Sequence, residues 1–206
     1  MSPSPASDGL ASGSTLDRRI EHSYRVRFDE ADAGGLLRPS GFLRYAQDMA
    51  WRHSEEAGFD RAWYDERAMH WLVHNVTLRL HAPVTYGDVL TVGTEVIGWR
   101  HVWARRRCEF RRGQELVAIV DTDWVLMRDD GRPSKVPDEI ARYFSPGMTF
   151  PRRKVLLPEP EGPVTRLSTR VRPLDLDPLR HMNNAAYLDL VADAIGRTPD
   201  LSEAHF

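Results

Sequence analysis

Four stretches in the middle of the chain alternate apolar and polar positions with a period of two: Trp71 to His81, Val89 to Trp99, Val102 to Phe110 and Leu116 to Met127. They are rich in β-branched and aromatic residues, which fit a pleated, half-buried surface, and so they predict strands. The breaks between them carry turn chemistry: Pro83 through Gly87-Asp88, Gly98, Arg112-Gly113 and Asp129-Asp130-Gly131-Arg132-Pro133. Links this short join antiparallel neighbours. Upstream the period changes. Phe42, Ala46, Met49, Ala50, His53 and Ala57 recur at spacings of three and four, Pro39 suits a first helical turn and Gly58 a stop, so a helix with one buried face is expected from Pro39 to Ala57. His22 to Arg27 reads as a short strand before it, and about Asp60 to Arg67 as a short helix after it.

One strand, one long helix and four antiparallel strands make an α+β unit in which a sheet curls round a helix. A second, shorter unit follows. Val26-Arg27 through Asp32, Gly34-Gly35 and Arg38 to Tyr45 line up with Val171-Arg172 through Leu188 when one residue is skipped, at an offset of about 145 residues. An ancestral unit of domain size used twice implies two related domains. The expected organisation is a disordered tail over 1–18, a first domain over 19–148, a linker over 149–163 and a second unit over 164–206. From about Leu167 onward there is room for a strand, a turn and one helix, Asn183 to Ile195, and a unit of about 40 residues seldom buries enough surface to stand alone. Leu188, Val191, Ala192 and Ile195 therefore need cover from the first domain or from another chain, and a homodimer is one way to supply it.

Composition narrows the function classes. With 206 residues, 41% of them hydrophobic, 28% charged and a net charge of -2, the chain is globular and has no excess field to hold a polyanion such as nucleic acid. Arg105-Arg106-Arg107 and Arg111-Arg112 read as solvated strand and turn positions, with docking of an acidic carrier protein as the lesser alternative. The single cysteine, Cys108, excludes an internal disulfide and fits a reducing cytoplasm. It falls in the alternating run Val102, Ala104, Arg106, Cys108, Phe110, as a half-buried strand residue rather than a nucleophile. No apolar run is long enough for a bilayer and no secretory leader is recognisable, so membrane insertion is not expected.

The candidate chemistry lies in Asp175-Leu176-Asp177-Pro178-Leu179-Arg180-His181-Met182-Asn183-Asn184, ending in Tyr187. It places a carboxylate and an imidazole on a turn that runs into the N-terminus of an amphipathic helix, where backbone N–H groups can polarise a carbonyl oxygen. Asp177 and His181 are the candidate catalytic pair, and Asn183 and Asn184 the candidate binders of the reacting carbonyl. The bland alternatives are that the asparagines cap the helix, that His181 is a satisfied turn residue and that Asp177 braces the turn. The matching loop, Asp29 to Asp32, has no histidine and reads as structural. His53 belongs to the buried helical stripe. His70 and His74, four apart on one strand face, would sit more than about 12 Å from each other, too far for one ion, so no metal site is expected.

The region Trp71 to Pro137 has Gly87-Asp88 before a strand, Arg105-Arg106 in the next, Trp124-Val125-Leu126 in the last, and then Gly131-Arg132-Pro133 and Val136-Pro137. In this it resembles the N-terminal hotdog domain of the acyl-ACP thioesterase family. Asp175 to Tyr187 resembles the opening of that family's second hotdog, and the likeness covers about residues 20 to 195. The resemblance implies one complete hotdog plus the first strand and helix of a second. It also implies an enzyme of fatty acid biosynthesis that hydrolyses the thioester joining a fatty acyl chain to acyl carrier protein. The family motif reads approximately D-L-D-x-N-x-H-x-N-N-x-x-Y. Asp177 matches its second Asp, His181 its His, and Leu179 stands where the motif has Asn. The family also carries a carboxylate farther along the second hotdog, beyond the position of Phe206.

The expected chemistry needs no metal and no cofactor. Water loses a proton to Asp177 or His181, the helix start holds the oxyanion, and the pantetheine thiol of acyl carrier protein or coenzyme A departs. The acyl chain is expected between sheet and helix, lined by Phe42, Ala46, Met49, Trp71 and Val73. The alternative is a hotdog protein that binds acyl ligands with little or no turnover. A hotdog dehydratase or hydratase ranks last.

Overall fold

The computed structural model describes residues 19–144, 168–195 and 203–205. The tail expected over 1–18 and the linker expected over 149–163 lie outside the described residues. The elements are β1 (Arg19–Arg25), α1 (Pro39–Glu56), α2 (Arg61–Glu66), β2 (Met69–Leu80), β3 (Val89–Arg100), β4 (Trp103–Arg112), β5 (Glu115–Arg128), α3 (Asp138–Phe144), α4 (Asn184–Ile195) and β6 (Glu203–His205). The strands form one antiparallel sheet in the order β1-β3-β4-β5-β2-β6. The five long or medium strands and the helices α1, α2 and α4 follow the sequence pattern closely, whereas α3 and β6 had no clear signal. The strand expected near Leu167 has no counterpart in residues 168–172, which lack regular structure.

The two faces of the sheet divide by alternation. On the inner face of β4, Cys108 and Phe110 pack against α1, whose Phe42 meets Phe110 edge-to-face at 5.3 Å between ring centroids. Leu90, Val92, Val117 and Val120 complete this core, and Met49 is wholly buried in it. On the outer face, Arg105 pairs with Asp123 and Arg107 with Asp121, each through two hydrogen bonds. A second cluster, built from Phe59, Tyr64, Leu126, Val136, Ile140 and Phe144, lies where α2 and α3 approach the sheet.

Arg106 corrects the sequence expectation for its cluster. Its neighbours in sequence are ion-paired on the outer face, whereas Arg106 points inward with Cys108 and is only 8% exposed. His70 and His74 are also not on one face. A bulge between Val73 and Asn75 makes His74 the extra residue of its strand, and it packs on Trp103 while His70 approaches His181.

The half-repeat is atomic in detail and needs no skipped residue. Asp32 N–H donates to the Leu36 carbonyl and Asp177 N–H to that of His181, both at 2.8 Å. Asp32 Oδ1 accepts from the N–H groups of Gly34 and Leu36, and Asp177 Oδ1 from those of Leu179 and His181. Gly35 and Arg180 occupy the same left-handed backbone position, φ +80° and +63°. Each turn then leads into a helix, α1 or α4. The equivalent residues Arg44 and Asp189, 145 positions apart, meet each other at 2.6 Å, as residues near a pseudo-two-fold axis would. Ala185 and Leu188 of α4 join the core of the first domain. Val191 remains 38% exposed, so α4 is covered along one side only.

Candidate active site

The turn before α4 is shaped by Asp177. Its carboxylate closes a ring with two backbone N–H groups, at 2.9 Å to Leu179 and 3.0 Å to His181, an arrangement in which a short acceptor side chain substitutes for a backbone turn. Arg172 braces the preceding segment. Its guanidinium contacts the Asp175 carboxylate at 2.7 Å and holds that group below the usual carboxylate range. Asn183 caps α4, its Oδ1 accepting from Ala185 N–H at 2.9 Å, while its Nδ2 donates to Gln47 of α1 at 3.3 Å. The capped N–H is therefore not available to an oxyanion, and Asn184 is the helix-start residue that faces the cavity.

That cavity has a volume of about 830 Å³. One wall is the turn, with Asp177, Leu179, His181, Asn184 and Tyr187. The others are α1 (Gln47, Ala50, Trp51, Ser54), the start of β2 (His70, Trp71, Leu72, Val73), the sheet (Val96, Trp99, Ala104, Arg106, Trp124) and α3 (Ile140, Ala141, Phe144). A space of this size, mostly apolar and lined at the turn by the candidate proton-transfer residue His181, suits a lipid-like ligand with one polar end.

The structure thus brings together Asp177, His181, Asn184, Trp71 and Val73. It does not bring in Phe42, Ala46 or Met49, which fill the core between α1 and the sheet and do not line the cavity. The reason is angular. Successive helical residues are turned by about 100°, so Gln47, Ala50, Trp51 and Ser54 present a second stripe of α1 to the cavity while the more apolar stripe is consumed by packing. Asn183 lies beside the cavity as a cap.

Two groups escaped the sequence reading. The His70 ring stands 6.3 Å from that of His181, centroid to centroid, and its Nδ1 lies 3.3 Å from Asp129 Oδ1. Among the described residues no carboxylate is hydrogen-bonded to the His181 ring, so His70 and Asp129 form the nearest imidazole–carboxylate pair. The second group is Arg106 with His53. Arg106 Nη1 donates to His53 Nδ1 at 2.7 Å, which places the imidazole proton on Nε2. Burial, aided by the Arg106 charge, lowers the His53 pKa to about 3, so this histidine is neutral. Burial likewise raises the Cys108 thiol to about 11, consistent with a packed strand residue. A polar chain runs beside these groups: Trp71 Nε1 donates to Tyr64 Oη at 3.0 Å, and Tyr64 Oη meets Ser54 Oγ at 3.1 Å.

Comparison with known proteins places this arrangement. The chloroplastic acyl-[acyl-carrier-protein] hydrolase FATB2 of Cuphea viscosissima is 24% identical over 195 residues, covering 85% of this chain and 47% of the relative. The chloroplastic oleoyl-acyl carrier protein thioesterase 2 of Arabidopsis thaliana is 24% identical over 173 residues, covering 72% and 46% respectively. The chain spans about half the length of these curated relatives. Among solved structures, the 12:0-ACP thioesterase from Umbellularia californica superposes with a TM-score of 0.69 at 18% identity, covering 96% of this chain and 82% of that one. An acyl-ACP thioesterase from Bacteroides thetaiotaomicron gives 0.69 at 14% identity, covering 86% and 73%. These likenesses show the fold, a hotdog sheet wrapped round α1. Residues 17–144 match the acyl-ACP thioesterase N-terminal domain and residues 159–200 the acyl-ACP thioesterase C-terminal domain, and the chain belongs to the acyl-ACP thioesterase family.

Proposed function

We propose that this protein hydrolyses the thioester of a fatty acyl group carried on acyl carrier protein, releasing the free acid in fatty acid biosynthesis. The observation that carries the reading is a continuous cavity that runs from the His181 turn into the space bounded by α1, α3 and the sheet. The thioester carbonyl lies at the turn, near His181 and Asn184, with the alkyl chain extending past Trp71 and Val73. His181 removes a proton from the attacking water. The tetrahedral intermediate collapses with expulsion of the thiolate, which takes up a proton as it leaves. Asp177 acts as a positioning residue, because both its backbone contacts recur at Asp32, where the equivalent of His181 is Leu36 and no such chemistry is available. The free thiol of Cys108, buried in the core, supports a reducing compartment such as the cytoplasm.

Thiol release from matched acyl-ACP and acyl-CoA substrates tests this. The wild-type chain is expected to turn over with a preference for the acyl-ACP, and His181→Ala to lose about 10²- to 10⁴-fold. Asp177→Asn keeps an Oδ1 acceptor for the turn and is expected to retain far more activity than Asp177→Ala. Equal, severe losses in Asp177→Asn and His181→Ala would instead make Asp177 the base. A second reading, an acyl-binding protein without turnover, is favoured by the absence of any carboxylate on the His181 ring among the described residues. It predicts binding of an acyl ligand and no thiol release.

A further inference from the structure

Among the described residues, Arg106 is a charge buried without a counter-charge. The strand alternation of β4 puts it on the inner face, while every carboxylate near it in the sheet is spent on the outer face, Asp121 with Arg107 and Arg79, Asp123 with Arg105. Its hydrogen bonds go from Nη1 to two neutral acceptors, His53 Nδ1 at 2.7 Å and Thr94 Oγ1 at 3.3 Å. The guanidinium also stands 5.8 Å from the Phe144 ring. A buried cation is costly unless it is paired, and a guanidinium is built to grip a planar oxygen acceptor with several donors at once.

Arg106 lines the cavity, and so does a donor that has no acceptor among the described residues. Trp124, opposite Ala104 in the neighbouring strand, has a buried Nε1 with no hydrogen-bond partner among the described residues. Trp124 and Arg106 are diagonal neighbours on the inner face, so their side chains approach one region of the wall. A cavity serving only a plain hydrocarbon chain has no use for either group; both are satisfied if the ligand brings an acceptor. Position fixes where on the ligand that acceptor sits. Trp71, near the reactive turn, pairs with Leu126, whereas Arg106 pairs with Thr122, four residues farther along β5 and two strands across from β2. At about 3.3 Å per residue and about 4.8 Å per strand, the separation is about 13 Å along and about 10 Å across the sheet.

We infer that the acyl group this cavity prefers carries an oxygen acceptor remote from the thioester, with a carboxylate the best match, held by Arg106 and Trp124. The inference rests on the thioesterase reading only for which end of the ligand reacts. A carboxylate there supplies the missing counter-charge to Arg106, and Trp124 Nε1–H donates to its second oxygen. Such a substrate is the monothioester of a dicarboxylic acid, or an acyl chain oxidised toward its far end.

Binding measured without turnover separates this claim from the hydrolytic one. The probes are monomethyl esters of straight-chain dicarboxylic acids against methyl esters of the matching monocarboxylic acids, titrated calorimetrically onto the full chain. Both have the same blocked end, so only the remote carboxylate differs. The wild-type chain is expected to bind the best-fitting diacid monoester at least about tenfold more tightly than its plain counterpart, the scale of a charge-assisted pair. Arg106→Met, which removes the buried charge with little change in volume, is expected to reverse the preference. Trp124→Phe should reduce it in part without altering any charge. Preference for the plain ester by the wild-type chain overturns the inference while leaving hydrolysis of ordinary acyl thioesters standing. Failure of both esters to bind overturns it together with the acyl-cavity reading, and thiol release measured in parallel then reports on hydrolysis separately.

Discussion

His53 shows how one buried side chain couples the core to pH. Folding lowers its pKa from an ordinary 6.5 to about 3, because burial and the Arg106 charge disfavour the imidazolium. Below pH 6.5 the unfolded chain therefore binds a proton that the folded chain refuses, and stability falls as pH drops, by up to about 1.4 kcal/mol per pH unit. His53→Gln keeps an acceptor for Arg106 and removes the titration, so denaturant midpoints between pH 6.5 and 4.5 should flatten in the variant. An equal slope in both proteins would place the pH dependence elsewhere. Asp175 acts at lower pH: its carboxyl is held down by Arg172, so its contribution is intact above the ordinary carboxylate range and disappears only below it. At this scale the sequence was half legible. His181 and Asp177 could be found from spacing beside a helix start, and Arg106 sat visibly in an apolar alternating run. Its charge argued for solvent, and nothing local shows that His53 of α1 and Thr94 of β3 will accept its hydrogen bonds.

The repeated turn is the element on which the site depends. In the first copy the left-handed position is Gly35, and in the second it is Arg180 at φ +63°. A residue with a Cβ is strained there, so Arg180→Gly should stabilise the protein by about 1 kcal/mol, as read by thermal or urea unfolding. A destabilised variant would mean that the Arg180 side chain makes contacts that outweigh the strain. The helix that follows is held by packing more than by charge. Leu188, at 2% exposure, reaches the first core, and Leu188→Ala should cost about 2–4 kcal/mol. The Arg44 and Asp189 side chains are 48% and 34% exposed, and a double-mutant cycle on that pair should give less than about 1 kcal/mol. The strands and α1 were legible because their periods of 2 and 3.6 are sustained over many residues. The seven-residue α3, Asp138–Phe144, is too short to establish a period, and the three-residue β6 depends on the edge of β2 that receives it.

For the molecule as a whole, the sequence announced a hotdog and the turn that carries the candidate groups, but not the cavity beside them. A hydrophobic stripe on α1 predicts that Phe42, Ala46 and Met49 are buried; it does not say whether protein or ligand buries them. The structure spends that stripe on the sheet and leaves the adjacent one, with Ala50 and Ser54, to face the space between α1, α3 and the turn. That space is what makes His181 a candidate catalytic group rather than a surface histidine. The most direct test of the account is a crystal structure of the chain with a non-hydrolysable thioether analogue of an acyl-phosphopantetheine. The account predicts the sulfur beside His181 and Asn184, with the alkyl chain running past Trp71 and Val73 toward Arg106. An alkyl chain bound away from this cavity, or lying among Phe42, Ala46 and Met49 with the His181 turn unoccupied, would contradict it.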